Sequence, residues 1–249
     1  MIKIIFLLFN LVYSNLIELT TNNSVILRGP VNSISVSKWI YNINKIKTDD
    51  IYIYIKSPGG SVTSGNLFIE QIKSLSESGK NIHCIAEFAA SMAFIILQSC
   101  PNRYGLFSSI LMQHQISFGI SGNLQNVNNY ISHINDISYE LNIMQSQRLG
   151  LSLFEFNNKV VNDWWLTGTK ALKFKAIDKI ISVKCSLELI EKKDKIPITE
   201  GLYYIILQFS MCPLIEEPIN NDEIVIKIDN YIKDLSIKKL LDKKYLTQF

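Results

Sequence analysis

The chain has 249 residues, of which 47% are hydrophobic and 19% charged, and its formal net charge is +3. That length and apolar content suffice for one large core, which excludes a peptide or a wholly disordered chain. Charged residues fall below the roughly 25% of an ordinary domain and the positive excess is slight and scattered, which excludes the basic footprint of a nucleic-acid binder.

Residues 1–15 open with Met1-Ile2-Lys3, an apolar run from Ile4 to Phe9 and from Leu11 to Tyr13, and Ser14. This is the order of a signal peptide and points to export or secretory entry, with a cytoplasmic or organellar location as the alternative. A first buried strand or docking arm is the competing reading. A retained anchor is disfavoured, because Asn10 interrupts a run already short of the ~20 residues a spanning helix needs.

From Ser24 to about Val183, short β-branched runs alternate with helical stretches, the pattern of an α/β domain. The spacing predicts a helix over 34–45, a strand over 51–55 ending at Ser57-Pro58-Gly59-Gly60, and a helix over 63–76. A strand follows over 82–86, then a buried helix beginning in Ala89-Ala90-Ser91-Met92. Pro101 to Gly105 reads as a turn and Ile110-Leu111-Met112 as a strand. A glycine-containing loop over 118–122 leads into a long helix over 124–149. Two short helical pieces flank Asp163-Trp164-Trp165-Leu166-Thr167, and Ile180 to Val183 closes the domain. Beyond Cys185 the chain is charge-rich, with a segment over 202–209 open to strand or helix and an amphipathic helical pattern over 222–249.

The cysteines Cys84, Cys100, Cys185 and Cys212 form no CxxC pair, so neither a zinc ribbon nor a thioredoxin-like site is written. Two disulfides are arithmetically open. Cys84 and Cys100 lie in apolar segments where a free buried thiol is ordinary, so free cysteines are the expectation. His83 reads as a strand residue and His133 as a helix-surface residue, both far from any grouping with metal-ligand spacing. Asn22-Asn23-Ser24 matches a glycosylation acceptor, relevant only along a eukaryotic secretory route.

Three features combine toward nucleophilic catalysis. The turn Ser57-Pro58-Gly59-Gly60 after a strand exposes backbone N–H groups and is suited to half of an oxyanion hole. Ser91 stands where strand and turn enter an apolar helix, whose dipole favours developing negative charge. His114 follows a strand end and is the usual base for a serine at neutral pH, and Asp163, before two tryptophans, is suited to orient it. Taken singly, each has a bland reading as a cap or a structural residue.

Ser57-Pro58-Gly59-Gly60-Ser61-Val62, Ala89-Ala90-Ser91-Met92-Ala93, Met112-Gln113-His114-Gln115 and Asp163-Trp164-Trp165-Leu166-Thr167 resemble, in order and separation, the motifs of the Clp protease proteolytic subunit family, ClpP. The likeness spans roughly residues 24 to 185. It implies a ClpP/crotonase-like superhelix of ββα units, with the helix over 124–149 as the handle that joins stacked heptameric rings and residues 186–249 as a C-terminal extension. The domain division that follows is 1–15, 20–185 and 186–249.

By the same resemblance the chain is a serine endopeptidase acting on unfolded proteins or peptides, with Ser91 as nucleophile, His114 as base and acid, Asp163 as orienting acid, and the N–H groups of Gly60 and Met92 as oxyanion hole. No metal or organic cofactor is implied, and ATP enters only through a separate AAA+ unfoldase partner. Ala93, Ile116 and Asn162 stand where the family commonly has glycine, proline and arginine, departures that touch the substrate strand and the ring-to-ring charge network. Competing expectations are a catalytically silent ClpP-like scaffold, a membrane-associated SppA-type peptidase using a Ser/Lys dyad such as one with Lys56, and a crotonase-like protein handling acyl-CoA.

Overall fold

The computed structural model describes residues 16–200 and 203–220. The signal-like segment 1–14 and the amphipathic segment 222–249 lie outside the described residues. In chain order the elements are β1 (Leu16–Leu19), β2 (Ser24–Arg28), α1 (Ser33–Ile43), β3 (Asp50–Ser57), α2 (Val62–Glu77), β4 (Asn81–Ala90), α3 (Met92–Ser99) and β5 (Asn102–Gln113). There follow α4 (Leu124–Leu149), α5 (Leu153–Val160), β6 (Trp164–Thr167), α6 (Gly168–Lys173), β7 (Lys179–Ile180), β8 (Ser182–Cys185), α7 (Leu187–Glu191), β9 (Lys193–Glu200), β10 (Tyr203–Ser210) and β11 (Pro218–Asn220). Among the described residues no helix is long and apolar enough to cross a membrane.

The main sheet runs β2-β3-β4-β5-β6, with β7 also paired to β5. The first four strands are parallel and β6 is antiparallel to β5. Parallel strands covered on both faces need nearly continuous apolar runs, and Ile51-Tyr52-Ile53-Tyr54-Ile55 supplies one, with Ile51, Ile53, Tyr54 and Ile55 fully buried. The chain is therefore a mixed α/β protein with a mostly parallel sheet.

Helix ends are set by local polar residues. Asn32 and Ser35 form a reciprocal capping box at the start of α1, which turns Val36, Trp39 and Ile43 into the core. Ser61 accepts from Ser64 N at the start of α2, whose Phe68 meets the Trp39 ring edge-on at 5.8 Å. Asn123 caps α4, and Gly150 ends it in the left-handed region at φ 68°.

Within the stretch Ala89-Ala90-Ser91-Met92 expected to open the helix, α3 starts at Met92 with Ser91 as its N-cap, because both alanines continue β4 and pair with Leu111 and Met112. Asn102 to Gly105, expected as a turn, is the first part of β5, since it pairs with β4 from His83 to Ala86. The segment left open between strand and helix is β10, antiparallel to β9.

Two disulfides correct the expectation of free cysteines: Cys84–Cys100 and Cys185–Cys212, with Cα separations of 6.0 and 5.9 Å. Cys84 and Cys100 are buried, as their apolar context indicated, and so is Cys212, but each is covalently paired. By compactness the chain divides into residues 1–189 with 212–214, and residues 190–211 with 215–249. The second unit contains the antiparallel sheet β11-β10-β9.

A buried guanidinium anchors the C-terminal end of α3. Arg103 on β5 donates to Gln98 Oε1 at 2.6 Å and pairs with Asp178 at 2.6 Å. Arg148, in the last turn of α4, donates to the carbonyls of Gln98, Cys100 and Pro101. Burial raises the Asp178 carboxyl, but the Arg103 hydrogen bonds and charge outweigh it and leave the pKa below the usual carboxylate value. Its contribution is therefore present above the unfolded-state carboxylate pKa and is lost as pH falls through that value toward the folded one. Asp178→Asn is expected to cost about 2 kcal/mol at neutral pH, a buried-pair penalty discounted for the partial exposure of Asp178. Urea denaturation at pH 7 and pH 3 checks it, the difference between variant and parent shrinking at the lower pH.

Candidate active site

Strand β4 leads directly into α3 through one residue, Ser91, whose φ of 54° and ψ of −122° place a serine in the left-handed half of backbone space. Such a conformation costs of order 1–3 kcal/mol and persists only where the surroundings over-determine it. Its N–H donates to Met112 O on β5 at 2.9 Å, and its carbonyl accepts from Phe94 and Ile95, so the turn is tied to both the sheet and the helix. The hydroxyl is left over: as N-cap of α3 its side chain makes no cap hydrogen bond. It meets His114 Nε2 at 2.9 Å instead. Both residues are half-buried.

His114 is the first residue beyond β5, and its own N–H donates to Gln113 Oε1 at 3.2 Å. Gln113 in turn donates through Nε2 to Gln145 Oε1 on α4, and Gln145 donates to Leu141 O at 3.1 Å. Both glutamines are buried, at 3% and 1% exposure, so this relay is the means by which α4 holds the backbone of His114. Gln145→Leu alone is expected to cost about 1–3 kcal/mol by stranding the buried Gln113 amide, while Gln113→Leu with Gln145→Leu recovers most of that loss. Denaturation midpoints of the three proteins check it.

The glycine turn after β3 packs against the Ser91 turn. Gly59 has φ 86°, and a Cβ there would lie 2.7 Å from Met92 N and 2.8 Å from Ser91 Cβ. Gly59 N donates to Ser57 Oγ, Val31 N to Gly59 O, and Ser61 N to Val31 O. Among the described residues, the N–H groups of Gly60 and Met92 have no protein acceptor, while those of Gly59, Ser61 and Ser91 do. Two donors are thus left for an oxygen near Ser91.

Asp163 is placed differently from its expected partner. Strands β5 and β6 are antiparallel and their ladder ends at Gln113 opposite Trp164, so His114 and Asp163 are each the next residue beyond that end. Asp163 is exposed, and no hydrogen bond joins it to His114 among the described residues. The structure joins Ser91 to His114, packs the Gly59 turn against Ser91 and Met92 with Gly60 next in the chain, and leaves Asp163 outside that hydrogen-bonded group.

Lys56, the candidate for a Ser/Lys dyad, ion-pairs with Glu87 at 2.6 Å, and the imidazole is the group on Ser91. His83 lies on β4, stacked between Tyr52 and Tyr104 with Nε2 3.2 Å from Asp50, and His133 is exposed on α4. Among the described residues no group of three His, Cys, Asp or Glu could hold a metal ion. The Gln113–Gln145 relay beside His114 and the Cys84–Cys100 bridge at the far end of α3 are pairings that the sequence did not indicate. Pairings across 32 and 16 residues leave no local signal, although the apolar frame around Gln113 marks a buried amide in need of a partner.

A family model described as Clp protease matches residues 10–184. The ATP-dependent Clp protease proteolytic subunit of Borrelia garinii subsp. bavariensis is 26% identical over 175 residues, covering 68% of this chain and 88% of that relative. The sharp strand-to-helix turn at Ser91, the imidazole upon it and a match across most of the chain agree: this chain is a distant homologue of ClpP and belongs to the Clp protease family.

Proposed function

We propose that the chain is a serine endopeptidase of the ClpP type that cleaves unfolded proteins or peptides. The observation that carries this reading is the 2.9 Å contact between Ser91 Oγ and His114 Nε2 at the positive-φ turn. His114 takes the hydroxyl proton as Ser91 attacks the peptide carbonyl, then delivers it to the leaving amine. The N–H groups of Gly60 and Met92 receive the oxyanion, and water then releases the acyl group by the same route. Asp163 orients the imidazole once the bend over 161–162 turns its carboxylate inward, a movement its place just beyond the end of the β5–β6 ladder permits. No metal or organic cofactor takes part in these steps.

Residues 20–185 form the protease domain of this reading, with the ClpP-like superhelix as its fold, and 186–249 an extension. Helix α4 serves as the handle between rings, its Leu124, Tyr130, Ile131 and Tyr139 being exposed. The relative's ATP-dependence supports a separate unfoldase as the user of ATP.

The test is labelling of the purified full chain with a fluorophosphonate, read by intact mass. A single adduct that is lost in Ser91→Ala is expected. A folded protein that takes no adduct would instead support a silent scaffold subunit, a reading favoured by the lack, among the described residues, of a hydrogen bond between Asp163 and His114.

A further inference from the structure

Ser91 sits inside a covalent loop. Cys84 lies on β4 ahead of the nucleophile and Cys100 is the C-cap residue of α3 behind it, so the disulfide, spanning a sequence separation of 16, encloses the whole strand-turn-helix unit that presents the hydroxyl. We propose that the Cys84–Cys100 bridge is a positioning device for the nucleophile, so that the reactivity of Ser91 depends on this bond being oxidised. The proposal rests on the serine-peptidase reading for its catalytic consequence.

Three observations carry it. A non-glycine residue at φ 54° is held only by its surroundings, and the relaxation open to it is a displacement of α3 relative to β4. Strand β4 resists that displacement incompletely, because its ladders with both β3 and β5 shift register at Glu87, between Cys84 and Ser91. Helix α3 is short, eight residues, and is held at its far end by Arg103, Arg148 and the disulfide. Arg103 reaches β4 upstream of the bulge only through the β5 ladder, where it pairs with Cys84, whereas the disulfide is a direct covalent link from the far end of α3 to that part of β4. Cys84 and Cys100 are 0% and 1% exposed, so the bond acts within the core. The second disulfide, Cys185–Cys212, lies outside the strand-turn-helix unit and provides the internal comparison.

The experiment compares the full chain with Cys84→Ala/Cys100→Ala and with Cys185→Ala/Cys212→Ala. Two rates are read well below each protein's own unfolding temperature: fluorophosphonate acylation of Ser91, and hydrogen exchange of the backbone amides over residues 88–97. Breaking the first bridge is expected to slow acylation about tenfold or more, the scale of a small misplacement of a reacting atom, and to speed exchange across the turn. Breaking the second leaves both rates near those of the parent.

If the first variant does not fold, the parent is titrated with a phosphine, which attacks the bond and, with one water supplying the oxygen and both protons, yields two thiols and the phosphine oxide. Acylation is then scored against the fraction of Cys84 and Cys100 that alkylates, and it must fall in proportion. Parent-like acylation and exchange without the bridge overturn the proposal, as do free thiols at both positions in the parent under non-reducing conditions. A parent that takes no adduct overturns the peptidase reading, and exchange over 88–97 still decides whether the bridge holds the turn.

Discussion

His114→Ala is expected to lower acylation of Ser91 by about 10⁴-fold or more while changing stability by no more than about 0.5 kcal/mol. The size follows from the chemistry of a hydroxyl, which is a weak nucleophile unless a base within hydrogen-bond reach removes its proton as it attacks. His114 Nε2, at 2.9 Å, is that base, and Lys56 is occupied by Glu87. The small stability change follows from the half-buried ring: among the described residues its side-chain hydrogen bond is the one to Ser91, whose hydroxyl solvent can satisfy instead. Burst-phase kinetics with an activated peptide ester separate acylation from turnover, and a thermal melt reports the fold. Acylation that survives in His114→Ala and disappears in Lys56→Ala would move the proton-transfer role to the lysine. Asp163→Asn is the informative companion, since its effect measures how much of the time the carboxylate reaches the imidazole from its exposed position.

The parts of this site that were legible in the sequence are those whose chemistry is local. A strand of alternating Ile and Tyr running into Ser57-Pro58-Gly59-Gly60 states its own turn, and the structure puts that turn against Ser91. The helices over 34–45, 63–76 and 124–149 were legible from apolar spacing alone, and the structure adds that Asn32, Ser61 and Asn123 cap them by accepting an N–H three positions ahead. Ala89 and Ala90 stay in β4 rather than joining α3 for an equally physical reason. Alanine is the strongest helix former, but pairing with Leu111 and Met112 overrides a propensity of a few tenths of a kcal/mol. The disulfides, the Gln113–Gln145 relay and the Arg103–Asp178 pair were not legible, because each joins residues that only the folded sheet brings together. Asp163 lies between these cases: the motif names it, the register places it, and its side chain stands outside the hydrogen-bonded group.

Gly59→Ala isolates the oxyanion donors from the nucleophile and its base. The new methyl group would press on Ala90 O and lie 2.7 Å from Met92 N, two backbone atoms that cannot move without shifting the Ser91 turn. Since an oxyanion donor contributes about 10²–10³-fold, Gly59→Ala is expected to reduce acylation by about that factor, with Ser91 and His114 chemically intact. Backbone strain at φ 86° adds a stability cost of about 1–2 kcal/mol. Gly29→Ala separates the two effects: Gly29 has φ 81°, but a Cβ there meets nothing within 4 Å, so this substitution carries the strain without the intrusion. Gly29→Ala should therefore lose similar stability and keep its acylation rate. If both variants acylate Ser91 as fast as the parent, the space between Gly59 and Met92 is not where the developing charge resides, and the hole must be sought on the other side of the turn.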